Sequence, residues 1–266
     1  MNTASTPTAP QAAFAPWVWG VPVVLLLLGA PLWLHWWEPS QFVALNQSFA
    51  VLPAGAWTAL SLLGNAWGVL GVTAPLLLLA PRYLWAWLCA APFAIVFARA
   101  GKALIESPRP AAVVDNALMR IVGEPMHNVS MPSGHTLTAF AVAAGIYFAL
   151  PRATRWRFAW LWVLALATGL SRIAVGAHWP GDVVVGAALG LLSGLLGQLL
   201  LARLSPRALL ATHWSLRLVA LLMAAAAYNL TVEALDFAEN QGVQNALAVL
   251  IVVVLGVYLR RNLAAR

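Results

Sequence analysis

Charged residues are scarce. Asp, Glu, Lys and Arg make up 9% of the 266 residues, against roughly 25% in an ordinary soluble domain. With 62% of the chain hydrophobic, a soluble fold of this length has too little polar surface to cover its exterior, and that excludes a water-soluble globule. Cysteine is almost missing too: Cys89 is the one thiol and sits in an apolar run, which excludes an internal disulfide and reads as a small buried packing residue. Acidic residues number 8 against 15 basic ones, for a net charge of +7. The bases are scattered between apolar stretches rather than massed in a patch, which argues against nucleic acid as a partner. Residues 1–16 are rich in Ala, Thr and Pro and hold no Lys or Arg. A cleaved leader normally opens with a basic segment, so 17–36 is expected to be a retained first span behind a disordered tail, 1–16.

What the chain does have is a series of apolar runs close to the ~20 residues that cross a hydrocarbon core. Eight spans are predicted, over about 17–36, 57–80, 83–105, 134–150, 156–176, 182–203, 214–234 and 243–259. They must be helical, because lipid offers no partner for open backbone groups. A stretch around 40–53 is too short and polar to cross and is expected to lie along the interface. The expected fold is therefore all-α, a polytopic transmembrane helical bundle. Its predicted division is a six-span core over 17–203 followed by two additional helices in 204–266.

Charge placement orients the bundle. With both termini cytoplasmic, the connections on that face hold Arg82, Arg152, Arg155, Arg157, Arg203, Arg207, Arg217, Arg260, Arg261 and Arg266, and no acid. All 8 acidic residues fall on the opposite face, the asymmetry expected of a positive inner side. Arg99, Lys102, Arg109, Arg120 and Arg172 stand outside the cytoplasmic set. Topology does not account for them.

Three segments account for Lys102, Arg109 and Arg172. The first is Lys102-Ala-Leu-Ile-Glu-Ser-Pro-Arg109-Pro110, leaving the third span; the second is Pro132-Ser133-Gly134-His135, opening the fourth; the third runs from Ser171-Arg172 through His178 to Asp182. Arg109 and Arg172 suit bidentate binding of phosphate oxygens, and Lys102 adds a compact charge. Ser133 sits where a helix cap is expected, and the N–H groups and dipole of that helix end favour an anion. Gly134, without a side chain, lets an oxyanion approach the backbone. Imidazoles such as His135 and His178 attack phosphorus or deliver protons near neutral pH. Asp182 follows His178 by four residues across a Pro-Gly break, close enough for a turn to fix the ring's tautomer.

Together these segments resemble the signature of the type 2 phosphatidic acid phosphatase superfamily: Lys, six residues, Arg-Pro; Pro-Ser-Gly-His; and Ser-Arg, five residues, His, three residues, Asp. All 11 defined positions match, in order and with the right gaps, over 102–182. The resemblance implies a six-span core with its site on the outer side, His178 as the nucleophile that becomes phosphorylated, Asp182 holding it, and His135 protonating the leaving oxygen. It further implies that Lys102, Arg109, Ser133, Gly134 and Arg172 bind the phosphoryl oxygens, with no metal and no cofactor. It says nothing about the last two spans.

The expected function is hydrolysis of a lipid phosphate or diphosphate, undecaprenyl diphosphate first, with phosphatidylglycerol phosphate, phosphatidate and lipid A phosphate behind it. Its partners are expected to be the membrane lipid substrate and the bilayer, without an obligatory protein. The expected location is a bacterial inner membrane with the site on the periplasmic face. A phosphotransferase on the same scaffold and a lipid transporter are the alternatives; a vanadium-dependent haloperoxidase shares the anion cradle but is soluble. Several residues read more plainly. Lys102 is placed to pair with Glu106, Arg99 to face the interior or snorkel outward, and Glu233, Asp236 and Glu239 to form a solvated acidic loop. His35, His127 and His213 carry no motif, and the 14 tryptophans read as interfacial belts.

Overall fold

A computed structural model describes residues 15–34 and 39–264. Expectations for most of the N-terminal tail, for His35 and Glu38, and for Arg266 fall outside the described residues. Those that are described form helices and connections, with no strand among them.

The first rod is α1 (Val21–Leu28) and α2 (Ala30–Trp33). After α3 (Pro39–Ser48) comes a second rod in three pieces: α4 (Ala54–Leu62), α5 (Ala66–Thr73) and α6 (Leu76–Leu79). The third rod joins α7 (Pro81–Leu88) to α8 (Ala91–Leu104). The remaining rods are α9 (Gly134–Ala149), α10 (Trp160–Ala174), α11 (Pro180–Leu201), α12 (Trp214–Val232) and α13 (Gln241–Ala264). Four helical stretches are long and apolar enough to cross a membrane: Pro81–Leu104, Pro180–Leu201, Pro206–Val232 and Ala238–Leu263. The chain is a multi-pass membrane protein, an all-α bundle.

Helices stand at all eight predicted places, but the second rod is not one continuous span. It breaks at Leu63–Asn65, where Asn65 turns its side chain to cap α5 by accepting from the Trp67 N–H at 3.0 Å, and again at Pro75, which cannot continue the hydrogen-bond ladder. The stretch expected to lie along the interface packs inward. Asn46 of α3 is fully buried; its amide donates to Ile173 O at 2.8 Å and accepts from the Arg120 N–H at 2.6 Å. The Arg120 guanidinium in turn donates to Phe49 O and Leu52 O. Arg120 therefore clips α3 and the turn after it to the loop between α8 and α9, which explains a cation that orientation did not.

The bundle turns apolar residues outward, as a bilayer requires: Leu27, Leu79, Val163, Leu221 and Val249 are all exposed. Small residues lie inside. The central helix α11 contacts α1, α2, α7, α8, α9 and α10, most extensively α9. A Cβ on Gly186 would stand 2.7 Å from Ser133 O, and one on Gly190 2.4 Å from Leu137 O, so bare glycine lets the two backbones touch. That approach sets the start of α9 beside the start of α11, where the Ser133 N–H donates to Asp182 O at 3.1 Å. Helices α12 and α13 share an apolar core with α5, α6 and α7, built around Leu70, Leu77, Leu84, Met223, Leu230 and Ile251.

Candidate active site

His178 precedes α11 and Asp182 occupies its first turn. Asp182 Oδ2 accepts from the Trp179 N–H at 2.9 Å, and lies 3.1 Å from His178 Nδ1. One carboxylate thus caps the helix and orients the ring. On the other side of the ring, Nε2 is 3.3 Å from Nη1 of Arg109. A guanidinium only donates, so a neutral His178 satisfying both contacts carries its proton on Nδ1 and turns the Nε2 lone pair outward. Burial, then the charges of Arg109, Arg172, Lys102 and His135, hold this imidazole well below its usual range.

The cations come from separate elements. Arg109 follows α8 in extended backbone ahead of the turn Pro110–Ala112, and its Nη1 also donates to Ala177 O at 2.7 Å. Burial lowers its pKa while Asp182 opposes the shift. A guanidinium stays charged nonetheless. Arg172, in the last turn of α10, is 1% exposed. It donates to the Ser61 hydroxyl, and its guanidinium carbon lies 5.6 Å from the Phe237 ring centre. Its backbone carbonyl accepts from both the Ala177 and His178 N–H groups, fastening the cation to the chain that carries the nucleophile candidate. Nε of Arg109 and Nε of Arg172 are buried without a hydrogen-bond partner among the described residues, two donors suited to an anion. Lys102 closes α8, half-buried, with Nζ donating to Val129 O at 2.8 Å rather than to Glu106. Arg99, by contrast, lies exposed on the outside of α8 and takes no place in this group.

Ser133 caps α9, its hydroxyl accepting from the Thr136 hydroxyl at 2.9 Å and the Thr136 N–H at 3.4 Å. Nothing within 4 Å would meet a Cβ on Gly134, so the N–H end of α9 is open there. His135 follows, and Gly64 packs against its backbone: a Cβ there would be 2.5 Å from His135 O.

Several contributors carry no sequence motif. Ser130, fully buried, donates to Asp182 Oδ2 and lies 3.3 Å from His178 Nδ1. Ser61 holds Arg172. Asp236 corrects the reading of a solvated acidic loop: its Oδ2 is 2.9 Å from His135 Nε2 and accepts from Asn65 Nδ2 at 2.9 Å. Glu233 and Glu239 remain exposed. His213 caps α12 by accepting from the Ser215 N–H, and His127 is exposed. Among the described residues, no group of three or more His, Cys, Asp or Glu side chains gathers to hold a metal ion. The groups placed to neutralise an anion are cationic side chains.

An apolar groove of about 280 Å³ begins one turn below His135. Ala139, Val142, Ala143, Ile146 and Leu150 line it from the face of α9 that His135 starts, with Leu63 and Leu164 among the opposite walls. Val72, Trp160 and Leu164, all lining residues, are exposed, so the groove opens on the bilayer side.

Comparison with known proteins finds a matching family model. The model described as PAP2 superfamily matches residues 82–206. A lipid A 1-phosphatase from Porphyromonas gingivalis is 44% identical over 68 residues, 26% of this chain and 15% of that protein. An undecaprenyl-diphosphatase from Sulfolobus acidocaldarius is 37% identical over 65 residues, 23% of this chain and 28% of that one. The similarity to these curated relatives thus spans less than a third of their length. The crystal structure of Aquifex aeolicus LpxE superposes with a TM-score of 0.52 at 25% identity, over 60% of this chain and 93% of that one. The stretch that carries all three signature segments, residues 82–206, is a PAP2 superfamily domain.

Proposed function

We propose that this protein is a membrane lipid phosphatase that works through a phosphohistidine on His178. The single observation that carries the reading is the held ring: Nδ1 against Asp182 and Nε2 against Arg109, at 3.1 and 3.3 Å, inside a group of cations. A phosphoryl oxygen takes over the Arg109 donor and uncovers the lone pair, which attacks phosphorus. Lys102, Arg109, Arg172, the Ser133 hydroxyl and the backbone at Gly134 bind the phosphoryl oxygens as charge develops. His135 gives its proton to the departing lipid oxygen as the P–O bond breaks. It then takes a proton from the water that attacks the phosphohistidine, releasing phosphate and restoring both rings.

The groove below His135 supports a lipid substrate, since a chain seated there brings its polar end under the cations. Undecaprenyl diphosphate is the first substrate to test and lipid A phosphate the second, the two chemistries in the names of the relatives. The same reading has a six-span core over 17–203 carrying the chemistry, 204–266 added to it, both termini cytoplasmic, the site on the periplasmic face of a bacterial inner membrane, and no obligatory protein partner.

The test is phosphate release by purified protein from a panel of lipid phosphates. His178→Ala is expected to abolish release while remaining monodisperse, and vanadate, a mimic of the five-coordinate state, is expected to inhibit the wild type. Wild-type activity is expected to persist in excess chelator. Phosphate that appears only when an acceptor lipid is added, ending on that lipid, would make the protein a phosphotransferase instead. Leaflet exchange of lipid without hydrolysis would make it a transporter.

A further inference from the structure

The helices beyond the PAP2 match bring a group to the site that none of the signature segments contains. The loop between α12 and α13 reaches back over the start of α9. Its Asp236 carboxylate bonds His135 Nε2 and Asn65 Nδ2, both at 2.9 Å, and its Phe237 is 3% exposed beneath the Arg172 guanidinium. Asn240, buried, donates to Thr58 O at 3.0 Å and pins the loop to α4. As a residue Asp236 is exposed, but its side chain is only 21% exposed, and that of His135 18%. The carboxylate has been turned inward.

The backbone agrees. Asp236 has φ of 56°, the one non-glycine residue at positive φ among those described. Asp and Asn tolerate that conformation better than most side chains. Burial alone would raise the Asp236 pKa, but the hydrogen bond and charge of His135, the Asn65 amide and the charge of Arg172 together hold it well below the usual carboxylate range. Asp236 is therefore ionised at any pH where the imidazoles titrate. The charged groups acting on His135 are Arg172, Asp236 and Arg109. No hydrogen bond engages its Nδ1 among the described residues.

We propose that Asp236 is a positioning residue for His135: its carboxylate holds Nε2–H, so that Nδ1 is the nitrogen that exchanges protons with the substrate. This deepens the phosphatase reading and rests on it. In the first step the Nδ1 proton of the imidazolium passes to the ester oxygen as the P–O bond breaks, leaving His135 neutral with Nε2–H still on Asp236. In the second, water attacking the phosphohistidine returns a proton to Nδ1. Asp236 stays ionised throughout. The C-terminal hairpin thereby supplies the acid with its partner, as Asp182 does for the nucleophile.

The test uses the full-length protein and two substrates with the same alkyl tail, one an alkyl phosphate and one a nitrophenyl phosphate, whose leaving oxygen needs no proton. Asp236→Asn keeps the shape and tolerates the positive φ. It is expected to lower kcat on the alkyl phosphate by about 10- to 100-fold, within the range of general acid–base catalysis, and to change the nitrophenyl phosphate by less than about threefold, with KM similar for both. Asn65→Ser, which preserves a capping hydroxyl for α5 but loses the reach to Asp236, is expected to give a smaller loss of the same selectivity. Glu239→Gln, on the exposed side of the loop, serves as the unaffected control. Equal losses on both substrates would assign Asp236 a merely structural role. Unchanged or increased turnover of the alkyl phosphate by both variants would also overturn the proposal, an increase meaning that Asp236 obstructs His135. If the wild type hydrolyses neither these substrates nor any lipid phosphate, it is the phosphatase reading that fails.

Discussion

At the scale of single residues, the proposed chemistry turns on a histidine kept neutral. Burial and then the neighbouring cations hold His178 down, so phosphoenzyme formation is expected to continue below the ordinary imidazole range of about 6.5. Arg109→Gln removes one of those cations. Its residual phosphoenzyme formation is expected to be lower by about 100-fold or more, as for loss of an oxyanion donor, and to fall off at a higher pH on the acid side. A pH profile of phosphoenzyme formation checks both. The same depression has a stability counterpart. The folded ring stays neutral while the unfolded one binds a proton as pH falls through about 6.5. Stability from His178 is thus full above that pH and is lost as pH falls toward the folded value.

Ser130→Ala removes a donor to the Asp182 carboxylate and is expected to lower kcat by about tenfold, the scale of a hydrogen bond to a charged group. Steady-state kinetics showing the loss in kcat with KM unchanged would confirm it. The signature made His135, His178, Asp182 and the cations legible in the sequence because their spacing is fixed by short loops. Ser130 was not legible. A serine in an irregular loop offers no period or motif, and its partner lies 52 positions away. Asp236 was hidden for the same reason. It lies 101 positions from His135, and in sequence it is one acid among three in a polar loop.

At the scale of helices, the contact between α9 and α11 decides whether the site assembles. Gly186 and Gly190 face backbone atoms rather than flexible side chains, so an added methyl has to push the helices apart. Gly186→Ala and Gly190→Ala are each expected to destabilise the bundle by about 1–3 kcal/mol, the usual cost of overpacking. Gly186 presses on Ser133 O, and its substitution is expected to cost the larger share of turnover. Thermal unfolding in detergent, run alongside phosphate release, separates the two effects. Apolar runs predicted where helices would stand, since lipid leaves the backbone no other choice. They did not predict the break at Leu63–Asn65, because an apolar run reads the same whether or not a side chain caps a new helix within it.

At the scale of the whole molecule, the orientation drawn from basic residues makes a direct prediction. Asp115 lies exposed in the loop after α8. A cysteine placed there on a Cys89→Ala background is expected to react with an impermeant maleimide added to intact cells. Labelling only after permeabilisation would invert the topology. The background is a modest change, since Cys89 is buried in a small apolar cluster with Ala86 and Leu201.

The groove under His135 opens sideways into hydrocarbon, while the cations gather at the ends of α8 and α10 and in the loop between α8 and α9. A cleaved ester in such a place separates by solubility. On the proposed function, its alcohol belongs with the acyl chains that the groove meets, and its phosphate belongs in water. The two products then part by solubility alone.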